Sequence, residues 1–294
     1  MPCLGPQLAQ HRQPVLDPRM RASVIQFEAG VDKAANIATA ATLIDQAVAR
    51  DQPGLISLPE MWTCLGGDRA TKLVAAETLT PRQALGPAAA FLRDTARRHA
   101  ITLHGGSIGE VEDGQLFNTS LVFGPDGAEL ARYRKIHMFD VTTPSGEGYR
   151  ESRLFGAGST TVTVQCAEFR LGLSICYDLR FPELYLTLRR QGAELIFVPS
   201  AFTAETGRDH WEVLLRARAI ETQSWIIAAA TTGRHYDAQG RARETWGHSM
   251  IIDPWGMPRA ALGAEAGFAT AEIDMAQLAR IRGAMPLLQH RRLV

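Results

Sequence analysis

No apolar run in the 294 residues approaches the roughly eighteen needed to cross a bilayer, and the first twenty, MPCLGPQLAQHRQPVLDPRM, hold no apolar signal-type segment. A cytoplasmic protein is the expectation. Net charge is absent too: 31 Lys plus Arg balance 31 Asp plus Glu. With no basic block either, nothing points to nucleic acid or to an anionic membrane, and a small-molecule partner is expected. The four cysteines, Cys3, Cys64, Cys166 and Cys176, lack CxxC spacing, which argues against a zinc site and a disulfide framework. Lysine is scarce too: only Lys33, Lys72 and Lys135, the other 28 of the 31 cations being arginine.

What is present is ordinary globular composition, 46% hydrophobic and 21% charged, enough for one large domain or two smaller ones. The Pro- and Gln-rich residues 1–20 lack hydrophobic periodicity and are expected to form a disordered tail. RASVIQFEA then reads as a first strand, so that Met20 is a candidate start, and residues 21–294 as one domain without a linker. An Ala-rich helix over 33–50 follows, then the strand GLISLPE and a helix from Pro81 to about His99. Strand-like runs come next, ITLHGGSIGEV, FNTSLVFGPDG and ELARYRKIHMF, with Gly-Pro-Asp-Gly as a turn. The second half gives a hairpin in TVTVQCAEFRLGLSICY, a helix from Pro182 to Arg190, the strand ELIFVPSAF and the helix DHWEVLLRARAIETQ. The strands SWIIAAAT and GHSMIIDPWG close it. Helices interleaved with parallel-type and hairpin-type strands predict an α/β sandwich with helices outside a pair of mixed sheets.

Three apolar strands end in ionisable residues, the place where α/β sheets put ligand chemistry: LISLPE in Glu60, LARYRK in Lys135 and LGLSIC in Cys176. Singly, each has a structural reading: a buried small hydrophobe, a helix-start carboxylate, a surface cation. The scarcity of lysine argues against the last, because a compact ammonium has been kept where arginine serves almost everywhere else. Together the three suit acyl transfer through a thiol: a carboxylate base, a nucleophilic sulfur and an ammonium for the oxyanion. No metal or organic cofactor is required for that chemistry. Arg180, four residues past the cysteine, is a candidate for an anionic substrate, or else an ion-pair partner of Asp178 and Glu183. Phe202 and Thr203 lie where a pocket wall is expected. His137 precedes the cysteine without a papain-type context and is not read as its partner. His210 and Trp211 are read as capping and packing their helix.

At these residues the chain resembles the nitrilase, or carbon–nitrogen hydrolase, superfamily. The resemblance is carried by LPEMW, YRKIHMFDV, GLSICYDLRFPELY, PSAFTAETGRDHWEVLLRARAIETQ and GHSMIIDPWG, and it runs over nearly the whole chain from about residue 21. It implies a four-layer αββα sandwich, a homodimer or higher homo-oligomer, and a triad of Glu60, Lys135 and Cys176. It also implies a second active-site glutamate, Glu151, and an oxyanion donor in the backbone N–H of Tyr177. HWEVLLRARAIETQ, GRHY and MPLLQHRR are most similar to the Nit branch and its deaminated glutathione amidases, with ω-amidases acting on α-ketoglutaramate as near neighbours. One departure is Thr231, in AAATTG, where the family commonly has glutamine; a substrate contact there would shift preference.

Overall fold

The computed structural model describes residues 19–80, 84–166 and 169–293. Most of the tail expected over 1–20 therefore lies outside the described residues, although Arg19 and Met20 already belong to the first strand, Arg19–Gln26. Two mixed sheets carry the fold. The first runs in the order Gly267–Asp274, Arg19–Gln26, Leu55–Ser57, Thr102–His104, Gln115–Phe123, Ile108–Glu112, with Glu129–Arg134 and Phe155–Gly156 also paired to Gln115–Phe123. The second runs Thr163–Cys166, Phe169–Leu173, Leu195–Phe197, Trp225–Ala228, Met250–Ile252, Pro258–Ala261. Each sheet holds three adjacent parallel strands flanked by antiparallel ones. Among the described residues no helix is long and apolar enough to cross a membrane.

Burial on both faces explains the continuous apolar runs. In the first sheet successive side chains go to opposite cores. Val24 and Leu55 face the second sheet and pack with Leu173, Phe197 and Ile227, whereas Ile25 and Ile56 face the outer helices Lys33–Asp51 and Pro87–His99. Ala40, Ala47, Ala88, Ala89 and Ala96 let those helices approach closely. Helices Pro182–Arg190 and Ala204–Thr222 cover the far side of the second sheet through Leu184, Leu188, Trp211 and Leu215. The layers are thus helix, sheet, sheet, helix, the expected αββα sandwich.

Two helix starts differ from the sequence reading. The third described helix begins at Pro87, not Pro81; Pro87 takes the first-turn place that its fixed φ favours, and residues 81–83 lie outside the described residues. The helix placed at Asp209 begins at Ala204, so His210 is an exposed mid-helix residue and caps nothing. Gly207 obscured that start, but it is required: a Cβ there would come within 2.4 Å of Trp246. Trp211 packs as expected, buried with its indole N–H on the His248 carbonyl.

His104 ties the sheets together. Its ring stacks on Phe197 with centroids 4.0 Å apart, and Ser57 and Ser120 hydroxyls sit 2.8 and 2.9 Å from its two nitrogens. Burial pushes its pKa down to about 3. Because the unfolded chain binds this proton near pH 6.5 and the folded one does not, stability from His104 is present at neutral pH and lost as pH falls toward 3. Urea unfolding at pH 5 rather than 7.5 is expected to show a loss of about 2 kcal/mol that His104→Asn removes. An unaltered pH slope in that variant would contradict the assignment.

Candidate active site

Each expected triad residue leaves the end of a strand. Glu60 follows Leu55–Ser57 after Pro59, supported from below by the Gly105–Ser107 turn. There Gly106 has φ +57°, and a Cβ would lie 1.9 Å from the Pro59 carbonyl oxygen, so only glycine fits. Lys135 follows Glu129–Arg134, its N–H bonded to the Asn118 carbonyl. Cys176 comes three residues after Phe169–Leu173, at φ 47°, in the left-handed region that non-glycine residues seldom enter. It opens a 3-10 turn, Cys176–Arg180, that runs into the helix starting at Pro182.

Asp178 holds this corner. Fully buried, it accepts from the backbone N–H groups of Ile175 (2.9 Å) and His137 (3.0 Å), from Tyr133 Oη (2.7 Å), and lies 2.7 Å from His137 Nδ1. The segment after Lys135 and the turn bearing Cys176 are thereby locked together. His137, stacked on Phe181, serves that lock and does not line the cavity described below.

Lys135, only 2% exposed in its side chain, donates to Glu60 Oε1 (3.0 Å) and to Glu151 Oε1 and Oε2 (3.0 and 2.9 Å). Burial alone would lower its pKa, but the Glu151 and Glu60 carboxylates more than offset this and raise it well above the ordinary lysine value. Glu60 also accepts from Asn118 Nδ2 (2.8 Å) and the Ala201 N–H (2.7 Å), and Glu151 from the Phe139 N–H (2.7 Å). The Cys176 thiol is pushed well above its normal pKa, first by burial and then by the Glu60 charge beside it, with Lys135 opposing. At rest the sulfur keeps its proton next to a carboxylate placed to remove it. Attack through general-base catalysis, instead of a standing thiolate, is what this arrangement can do.

These groups open into one cavity of about 360 Å³. Glu60, Lys135, Cys176, Glu151, Tyr177, Phe202 and Thr203 all line it. Arg180 does not: its guanidinium lies 5.2 Å from the Phe202 ring centroid and 6.0 Å from that of Tyr177, with His210 Nδ1 at 3.3 Å from Nη1. Nor does it pair with Asp178 among the described residues, since Asp178 is saturated from the other side. Thr231 is fully buried, with its N–H on the Ser200 carbonyl, and is also absent from the wall, so its side chain makes no substrate contact there. Sequence reasoning missed Asn118 and the Ala201 and Phe139 amides, which come from neighbouring segments. It also missed a far wall of Lys72, His235 and Arg243, for which the rarity of lysine was an available signal.

The chain is similar to known proteins in sequence and in fold. A deaminated glutathione amidase of Synechocystis (strain PCC 6803 / GT-S) is 44% identical over 277 residues, spanning 92% of this chain and 97% of its own. The mouse ω-amidase NIT2 is 36% identical, spanning 92% and 95%. Among solved structures, Saccharomyces cerevisiae Nit3, a member of branch 10 of the nitrilase superfamily, superposes with a TM-score of 0.83 at 29% identity over 96% of this chain and 99% of that one. The Caenorhabditis elegans NitFhit protein gives 0.83 at 35% identity, over 93% and 65%. The carbon-nitrogen hydrolase family model matches residues 21–283, and with a thiol, a carboxylate and a buried ammonium at three strand ends the chain belongs to that family, as an enzyme that cleaves amide C–N bonds.

Proposed function

We propose that the protein hydrolyses deaminated glutathione through a thioester on Cys176. The reading is supported most by the placement of Lys135 between Glu60 and Glu151 beside the buried thiol, together with the likeness to the Synechocystis amidase. Glu60 takes the thiol proton as the sulfur attacks the amide carbonyl. Lys135 and the Tyr177 N–H hold the resulting oxyanion, one Lys135 contact to Glu151 giving way to it. Glu60 passes its proton to the departing amine as the C–N bond breaks. A water molecule, deprotonated by Glu60, then attacks the thioester; the S–C bond breaks, the acid leaves and the proton returns to sulfur. Glu151 keeps Lys135 in place throughout. Phe202 and Thr203 contribute wall to the substrate pocket.

The second reading, ω-amidase action on α-ketoglutaramate, is favoured by the likeness to mouse NIT2 and needs the same chemistry with ammonia as the leaving group. Offering the purified protein each amide separately and following the acid product distinguishes them. Higher kcat/KM on deaminated glutathione is expected; preference for α-ketoglutaramate would move the protein to the second reading, and inactivity on both would overturn each. We place the enzyme in the cytoplasm, as a homodimer of one domain over residues 21–294. Exposed Val213 and Ile220 on the outer helix adjoin Trp255 and Met257 in the turn around Gly256, an apolar face suited to a second copy. Light scattering at one chain mass, 32.1 kDa, would contradict the dimer.

A further inference from the structure

The reacting cluster occupies one part of the cavity, and the rest of the wall has a different character. Lys72, Arg150, Arg241 and Arg243 face Asp237 and Glu244 there, an excess of two cations. Arg241 is already paired with Asp237 at 2.7 Å, and Arg150 donates to the Val141 and Tyr149 carbonyls. Lys72 is not satisfied in this way. It extends from the helix Arg69–Ala75, and its ammonium makes one hydrogen bond, to the Gly66 carbonyl at 2.9 Å, with no carboxylate within ion-pair distance among the described residues. Of three N–H donors, two are left. Two of the three lysines in the sequence thus face a single cavity, whereas the third, Lys33, is paired with Glu77.

Across from Lys72 stands a hairpin, Thr232–Tyr236 with Ala242–Trp246, in which His235 and Arg243 are direct partners. His235 Nδ1 is buried and has no hydrogen-bond partner among the described residues. That atom is enclosed within the protein and out of reach from the cavity, which leaves Nε2 as the ring nitrogen a bound ligand could meet. Burial, with Lys72 and Arg243 near, lowers the pKa of this ring to about 4, so at neutral pH it is an uncharged imidazole with one N–H to give. Arg243 is braced with its guanidinium 4.3 Å from the Tyr149 ring centroid and a single 3.3 Å contact to Glu147. The wall beside this group is aromatic: Phe139 and Tyr149 also line the cavity.

We propose that Lys72, His235 and Arg243 form a carboxylate-binding subsite, so that the enzyme selects amides bearing a carboxylate remote from the scissile bond. A carboxylate supplies acceptors for the spare Lys72 N–H groups and for an imidazole N–H, and it balances the local excess of cations. Burial lowers the Lys72 pKa, with the charges of Cys64, Glu151 and Glu60 opposing, and a carboxylate bound beside the ammonium favours its charged form. The inference rests on the amidase reading of Cys176 for its kinetic test, though not for its binding test.

Succinamate and butyramide are four-carbon amides that differ by a carboxylate in place of a methyl group. The ratio of their kcat/KM values, succinamate over butyramide, is expected to fall about 10- to 100-fold in Lys72→Met. Lys72→Arg, which keeps the charge, is expected to retain most of the ratio, and this sets a lost charge apart from a damaged fold. Calorimetric titration with succinate reads the same subsite without turnover: at least about tenfold weaker binding to Lys72→Met is expected. An unchanged ratio, equal succinate affinity in both proteins, or no succinate binding by the wild type would overturn the subsite. Wild-type protein that binds succinate but hydrolyses neither these amides nor deaminated glutathione nor α-ketoglutaramate would overturn the amidase reading and leave the subsite standing.

Discussion

Replacing Cys176 with alanine is expected to lower kcat on an amide by at least about 10⁴-fold, because removing a nucleophile that acts with its base abolishes the route through the covalent intermediate. The thiol lines the cavity, carries its proton at rest and has one carboxylate beside it, and among the described residues no other thiol can substitute: Cys64 and Cys166 are buried and line no part of that cavity. The fold should survive. Alanine removes only one sulfur atom from a position already 8% exposed, and the corner is held through Asp178, not through the thiol. Acid release by the variant, followed beside its urea unfolding midpoint, checks both halves. Substantial turnover with an unchanged midpoint would contradict the nucleophile assignment.

Lys135→Met is expected to damage both stability and rate. The ammonium is the shared counter-charge of two carboxylates, and without it Glu60 and Glu151 would face one another in a buried space. Removing one member of a buried ionic cluster costs about 3–5 kcal/mol of stability. Loss of an oxyanion donor costs roughly a further 10²–10³ in kcat. The double variant Lys135→Met with Glu151→Gln separates the two effects: it is expected to regain part of the stability and none of the rate. Recovery of rate in the double variant would show that Lys135 serves only to balance charge. Arginine is not expected to rescue the site, since a planar fork cannot reproduce three short contacts converging on one nitrogen.

The triad was legible in the sequence for a physical reason. An apolar run that stops at Glu60 or Cys176 marks the end of a parallel strand, where a sandwich opens to solvent, whereas Lys135 ends an antiparallel strand and was marked by the scarcity of lysine. The helix Pro182–Arg190 was legible to the residue because a proline fixes its first turn. What could not be read is which segments lie side by side. Asn118 and the Ala201 N–H reach Glu60 from 58 and 141 residues away, a consequence of sheet order and register that no local pattern encodes. Asp178 illustrates the same limit. Its sequence neighbours suggest an ion pair with Arg180, whereas the 3-10 turn points it inward to Tyr133 and His137.

The far wall of the cavity escaped for another reason. TGRHYDAQGRARETW is polar and arginine-rich, so the hairpin it forms shows no clear alternation of apolar residues. Lys72 rides on a helix of seven residues, too short for a periodic signal; its best local sign is the capping box formed by Asp68 and Thr71. Composition held the better clue, since the rarity that singles out Lys135 applies equally to Lys72.

The covalent route is tested most directly by quenching the wild-type protein in acid during turnover of deaminated glutathione and weighing its peptides. The expected result is a peptide containing Cys176 that carries the acyl portion of the substrate, lost again when the thioester is treated with hydroxylamine. An acyl group found on any other residue, or turnover undiminished in Cys176→Ala, would contradict it.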